Sequence, residues 1–188
     1  KLSGQLIARK QLPDAKTVIA DVLKNDGENA IALSQRGQIQ IEEGNYEAAI
    51  ADLRAAINKD SKDFKSHSLL AVAYERNGQM ELATKSLDDA TKLSNYDPQI
   101  ALGYAAFLVR RGREDNAEDL LQEVVRRTPG NRDASVMLAE LYQRRGNWQG
   151  AEAIAQKLRE ENKDSSDADK LLGRSLVGQK RFGVAEPQ

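Results

Sequence analysis

Residues 71–90 read AVAYERNGQMELATKSLDDA, and residues 139–151 read AELYQRRGNWQGA. Laid together with Gly78 on Gly146, they agree at Ala71 and Ala139, at Tyr74 and Tyr142, and at Ala83 and Ala151, with Met80 opposite Trp148. The offset is two steps of one period, and that period runs along the chain. Gly44, Gly78, Gly112 and Gly146 recur at a constant spacing of 34, as do Ala15, Ala49, Ala83, Ala117, Ala151 and Ala185, and the two series stay in phase with each other. Self-similarity at a fixed period of this length marks a repeat array rather than a single folded core.

Other columns keep the period. Ile19, Leu53, Leu87 and Leu121 form an apolar column with the smaller Ala155 next, and Val22, Ala56, Ala90, Val124 and Leu158 form another. Gly37, Ala71, Ala105, Ala139 and Gly173 are all small, and Leu12, Tyr46, Met80, Trp148 and Phe182 occupy a large-residue position just after the glycine. Apolar residues recur at helical spacing in 32–43 and 66–77, so each glycine is expected to end a first helix in the left-handed conformation that glycine adopts most easily. The alanine lies where the second helix crosses the first; a small side chain there lets two axes approach. The links 58–63, 94–98, 128–133 and 162–167 are short and polar, and Asp97-Pro98 and Thr128-Pro129 disfavour helix before the proline.

This pattern resembles the tetratricopeptide repeat. Ala71, Tyr74, Gly78, Ala83 and Ala90 follow that family's motif, as do Ala139, Tyr142, Gly146, Trp148 and Ala151. Gln40 and Leu108 depart from its tyrosine, Glu114 from its aromatic and Lys180 from its turn glycine, and Pro129 is the one linker proline in phase. The resemblance implies an all-α, right-handed superhelical solenoid of antiparallel helix hairpins. Counting in periods gives one array over 1–188, with a partial repeat at 1–29, complete repeats at 30–63, 64–97, 98–131 and 132–165, and a partial repeat at 166–188. Both ends fall inside a repeat and neither reads as a polar cap, so flanking repeats and end-to-end self-association are expected.

Composition narrows the function. About 40% of residues are hydrophobic and 30% charged, and the formal net charge is −1. That balance gives no electrostatic reason to expect a nucleic-acid partner. There is no cysteine, and no apolar run is long enough for a membrane span. His67 is the only histidine, and neither a metal-ligand pattern nor a P-loop or nucleophile-elbow motif accompanies it, so neither enzyme activity nor a cofactor is expected. The acidic residues Asp60, Asp63, Asp88, Asp89, Glu160 and Glu161 read as solvated charge. Tyr74, Tyr142, Trp148 and Phe182 sit in packing columns, which argues for core over a base-stacking platform.

In such arrays the first helices line a concave groove. The positions the resemblance places there are Ser34, Gln38 and Ile41; Ser68, Val72 and Glu75; Leu102, Ala106 and Val109; and Val136, Glu140 and Gln143. Two residues before the glycine come Glu42, Arg76, Arg110 and Arg144, with Arg111 and Arg145 beside the last two. Guanidinium groups bind carboxylates two-pronged. The groove therefore has an apolar middle in Val72, Leu102, Ala106, Val109 and Val136, and an edge of Arg76, Arg110 and Arg144 suited to an acidic peptide. Arginine near a helix C-terminus also serves the dipole and solubility. Chaperone adaptors of the family hold a terminal carboxylate with lysines, asparagines and an arginine. Here the matching positions are Ser34, Gln38, Leu69 and Lys65, and only the lysine fits, so that tail is not the expected ligand.

The leading expectation is a protein-interaction scaffold. Two others stand beside it: an accessory factor of a bacterial envelope, exopolysaccharide or secretion system, by analogy alone, and a regulatory domain of a larger protein. The compartment stays open between cytoplasm and a periplasmic or lipid-anchored site.

Overall fold

The computed structural model describes residues 2–179, and among them eleven α-helices follow one another with no strand. They are α1 (Leu2–Ala8), α2 (Leu12–Asn25), α3 (Ala30–Glu42), α4 (Tyr46–Lys59), α5 (Phe64–Arg76), α6 (Met80–Leu93), α7 (Pro98–Arg110), α8 (Glu114–Arg127), α9 (Arg132–Arg144), α10 (Trp148–Glu161) and α11 (Ser166–Gly178). The odd-numbered helices from α3 onward have 13 residues and the even-numbered ones 14, and each kind starts one sequence period after the last.

Local chemistry sets these boundaries. Each first helix from α3 onward begins on a side-chain cap: Asn29, Asp63, Asp97, Asn131 and Ser165 accept from backbone N–H groups of Ala32, Lys65, Gln99 and Ile100, Ala134 and Ala168. Each cap is worth about 1 kcal/mol. Asp63 is therefore not the solvated charge expected of it: its Oδ2 also lies 2.5 Å from Ser66 Oγ. Asp60 accepts from the Lys62 N–H and tightens the preceding turn.

The glycines end the first helices as expected, with φ of +80°, +77°, +70° and +77° at Gly44, Gly78, Gly112 and Gly146. Around Gly44, the Asn45 N–H donates to the Gln40 carbonyl at 2.8 Å and the Gly44 N–H to that of Ile41 at 3.1 Å, the double bond of a Schellman motif. The other three repeat it. The motif also closes α1 without a glycine: the Gln11 N–H donates to the Leu6 carbonyl at 2.9 Å around Lys10, which sits at φ 59°. A residue with a Cβ in this conformation is strained. Lys10→Gly is expected to stabilise the chain by about 1 kcal/mol, read as a raised urea midpoint at constant slope.

The chain divides into two compact units, Lys1–Asn95 and Tyr96–Gln188. In each, neighbouring helices pack as antiparallel hairpins, α3 on α4 and α5 on α6 in the first, α7 on α8 and α9 on α10 in the second. Successive first helices also touch, as α3 does α5 and α9 does α11. The alanine column is wholly buried at Ala15, Ala49, Ala83, Ala117 and Ala151. At the facing position, a Cβ on Gly37 would lie 2.7 Å from Leu53 Cγ, so the α3–α4 crossing has no room for one. Val22 departs from its column. It is 37% exposed where Ala56, Ala90, Val124 and Leu158 are buried. In the α7–α8 hairpin, Ala101 from the first turn of α7 packs with Val124.

One contact replaces apolar packing with charge. Eight positions before the turn glycine stand Arg36, Leu70, Tyr104 and Leu138, and eight after it Asp52, Ser86, Leu120 and Ile154. In the α3–α4 hairpin, Arg36 Nε and Nη2 donate to the two Asp52 carboxylate oxygens at 2.6 and 2.7 Å. The bonds to Asp52 raise the Arg36 pKa above its ordinary value, against the opposing effect of burial.

Asn95 and Tyr96, between α6 and α7, both have positive φ, 55° and 61°. In the second unit the Tyr96 ring is covered by the Arg127 guanidinium, 4.3 Å from its centroid, and Glu123 accepts from Arg126 and Arg127. Those hydrogen bonds lower the Glu123 carboxyl to a pKa of about 2.

Candidate functional site

The first-helix face of each unit is the candidate site. In the first unit, Gln38, Ile41, Ser68 and Glu75 are half-buried and Val72 is 38% exposed. Arg76 is exposed and makes no hydrogen bond or ion pair with the described residues. Ser34 differs from expectation: it is buried, its Oγ 2.8 Å from Ser66 Oγ, so it joins α3 to α5 instead of facing solvent.

In the second unit, Leu102, Ala106 and Val109 on α7 and Val136 on α9 are half-buried. Leu102 and Val136 pack on the core beneath them, the first on Ala101, Val124 and Ala134, the second on Ala139, Ala151 and Leu171. Arg110 and Arg144 are exposed. The Arg110 guanidinium lies 6.0 Å from the Phe107 ring centroid, and Arg144 Nη1 lies 3.3 Å from Glu114 Oε1. The neighbouring Arg145 is bound more firmly, by Asp115 at 2.5 Å and by Glu118. Gln143, expected on the groove, is buried and donates to the Leu171 carbonyl at 2.7 Å and to Ser175 Oγ at 2.8 Å. With Ser3 on Gln35 and Ser34 on Ser66, it forms a set of polar rungs, each joining residues 32 apart on successive first helices. The rungs fix the register between helices, because a slipped pair leaves buried donors unmet.

Between α9, α10 and α11 the face opens into a depression of about 750 Å³ lined by Glu140, Arg144, Trp148, Arg174 and Val177. The Trp148 ring lies on Gly178, where a Cβ would come within 2.4 Å of it. Tyr74 is 7% exposed and packs in the core, whereas Tyr142 and Trp148 are half-buried, Trp148 on the wall of the depression. Phe182 lies outside the described residues. His67 is half-buried and its Nε2 donates to the Ser61 carbonyl at 3.2 Å. Among the described residues no cluster of three or more His, Cys, Asp or Glu side chains could hold a metal, and no helix is long and apolar enough to cross a membrane.

Hairpins of constant length, joined by repeated caps and packed on neighbours in sequence, define a helical-repeat protein. The chain belongs to the tetratricopeptide-repeat family: residues 51–169 match the model described as "Cytochrome c-type biogenesis protein H TPR domain", and residues 6–66 one described as "Tetratricopeptide repeat". No curated protein matches the chain. Among solved structures, Naa15/Naa10 bound to HypK-THB is similar with TM-score 0.74 and 19% identity, over 98% of this chain and 29% of that one. The present chain thus spans under a third of that protein's length. YrrB, described as "a TPR protein with an unusual peptide-binding site", is similar at TM-score 0.67 and 16% identity over 89% of this chain and 86% of that one. MamA is similar at TM-score 0.68 and 18% identity over 85% of this chain and 87% of that one. At such identities the likeness is one of fold.

Proposed function

We propose that this chain is a non-catalytic scaffold that holds an extended or helical segment of a protein partner on its first-helix face. The observation that carries the reading is the pairing of half-exposed apolar side chains with arginines on one face. In the second unit these are Leu102, Ala106, Val109 and Val136 beside Arg110 and Arg144. In the first, Val72 stands one helical turn from Arg76. A segment with aliphatic residues in the middle and carboxylates along one side matches this chemistry. The peptide-binding site in the description of YrrB, on a similar fold, supports it. Arg110→Gln with Arg144→Gln is expected to weaken partner capture about tenfold or more, with only a small change in the thermal midpoint, since an exposed pair such as Arg144–Glu114 contributes little to stability. Capture at the parental affinity would remove the arginines from the reading.

A more specific reading rests on the match of residues 51–169 to the cytochrome c-type biogenesis domain. The scaffold would then serve assembly of c-type cytochromes, as an accessory factor. Deleting the gene in its source organism should lower haem covalently attached to protein, seen by haem staining of membrane and periplasmic fractions. Unchanged staining would sink this version and leave the broader scaffold reading standing.

A further inference from the structure

We propose that the first unit carries a second binding site, on a different face of α5, for an acidic segment of a protein partner with an aliphatic residue beside its carboxylate. A depression of about 310 Å³ lies among α4, α5 and α6. Its lining includes His67, Leu70 and Tyr74 from α5, Arg54 from α4, and Leu82 and Lys85 from α6. On α5, residues 67, 70 and 74 point ~130° around the helix from 68, 72 and 75 of the first-helix face. The two sites are therefore separate, and this inference does not depend on the reading above.

Three hydrogen-bond donors line the depression and are unspent. Tyr74 is 7% exposed, yet its hydroxyl makes no hydrogen bond within the described residues. Arg54 and Lys85 are exposed and likewise make no bond within them. The second unit shows how the same place is closed when it is structural. There Gln122 stands two periods after Arg54, and its Nε2 donates to the Tyr142 hydroxyl at 2.9 Å. Ala153 replaces Lys85 and Gly150 replaces Leu82. The first unit thus has two cations and an open phenol where the second has a satisfied pair.

A carboxylate complements this lining: Arg54 and Lys85 supply charge and the Tyr74 hydroxyl a directed bond. Leu70 lies buried in the floor, and Leu82, 45% exposed, stands ready to cover an aliphatic neighbour. Asp89 is the one acid on the wall and favours a single carboxylate over a dianion such as a phosphoryl group. The ring of His67, tied to Ser61 by Nε2, adds a fixed polar edge. The depression is open and about the size of two side chains, which suits an adjacent pair projected from a passing backbone.

The test is selection of phage-displayed random dodecapeptides on the full chain. Enriched peptides are expected to carry Asp or Glu next to Leu, Ile or Val. They should bind Arg54→Ala/Lys85→Ala about tenfold or more weakly, lose severalfold on Tyr74→Phe, and bind Arg76→Glu as they bind the parent. Circular dichroism melts of each variant guard against loss of fold. No enrichment, enrichment without acids, or equal binding to the Arg54/Lys85 variant overturns the proposal; so does loss of binding on Arg76→Glu alone.

Discussion

Phe107→Ala lowers the stability of the second unit by about 3–5 kcal/mol, the largest loss expected from any single truncation in the described chain. Phe107 is the largest of the fully buried side chains, 2% exposed in the middle of α7. Removing it takes a whole ring out of a fully buried place, and the cavity left behind adds to the lost transfer free energy. In a repeat array each element contacts near neighbours, so the damage is local. Hydrogen exchange should therefore quicken about a hundredfold or more in α7 to α9, and far less in α2 and α3. Uniform acceleration along the chain would show that it unfolds as one cooperative block and would refute the local picture.

The second large effect is electrostatic and has an unusual remedy. Arg36→Ala leaves the Asp52 carboxylate, 12% exposed, without its partner, and should cost about 2 kcal/mol. That is below the range for a fully buried pair, because the Arg36 side chain is 44% exposed and water screens it. The later hairpins show the alternative at these two positions: Tyr104 with Leu120 in one, Leu138 with Ile154 in the next. Arg36→Leu with Asp52→Leu should then bring stability back to within about 1 kcal/mol of the parent or above it. If the double variant is as unstable as the single one in urea unfolding, the ion pair is more than a substitute for packing.

Reading the sequence reached the hairpins because their essential positions are chemically narrow. A left-handed turn wants glycine and a close crossing wants alanine, so Gly78 and Ala83 repeat as identical letters. Features that several residues can satisfy do not repeat as letters. The caps alternate among Asn29, Asp63, Asp97, Asn131 and Ser165, any of which offers an oxygen to an N–H. Their period shows only when residues are grouped by what they accept. The column Ile39, Ala73, Phe107, Leu141 and Ser175 is buried throughout, yet its members span serine to phenylalanine. Lys10 hides a glycine position, because the turn that it closes is held by backbone hydrogen bonds. On the candidate face, the resemblance placed Ser34 and Gln143 toward solvent, whereas both are drawn into the rungs between helices. Periodicity gives the angle of a residue around its helix. Whether the neighbour on that side is water or another helix depends on a polar partner 32 residues away.

The caps and turns also bear on how such a chain changes length. Every hairpin from Ala30 to Glu161 brings its own start signal one residue ahead of it and its own stop signal at the glycine. Excising 30–63 would join Asn29 to Phe64, leaving an asparagine to cap α5 in place of Asp63. The new junction would be of a kind the chain already uses at α3 and α9. A gene segment coding for one period is thus a unit that duplication or loss can move intact.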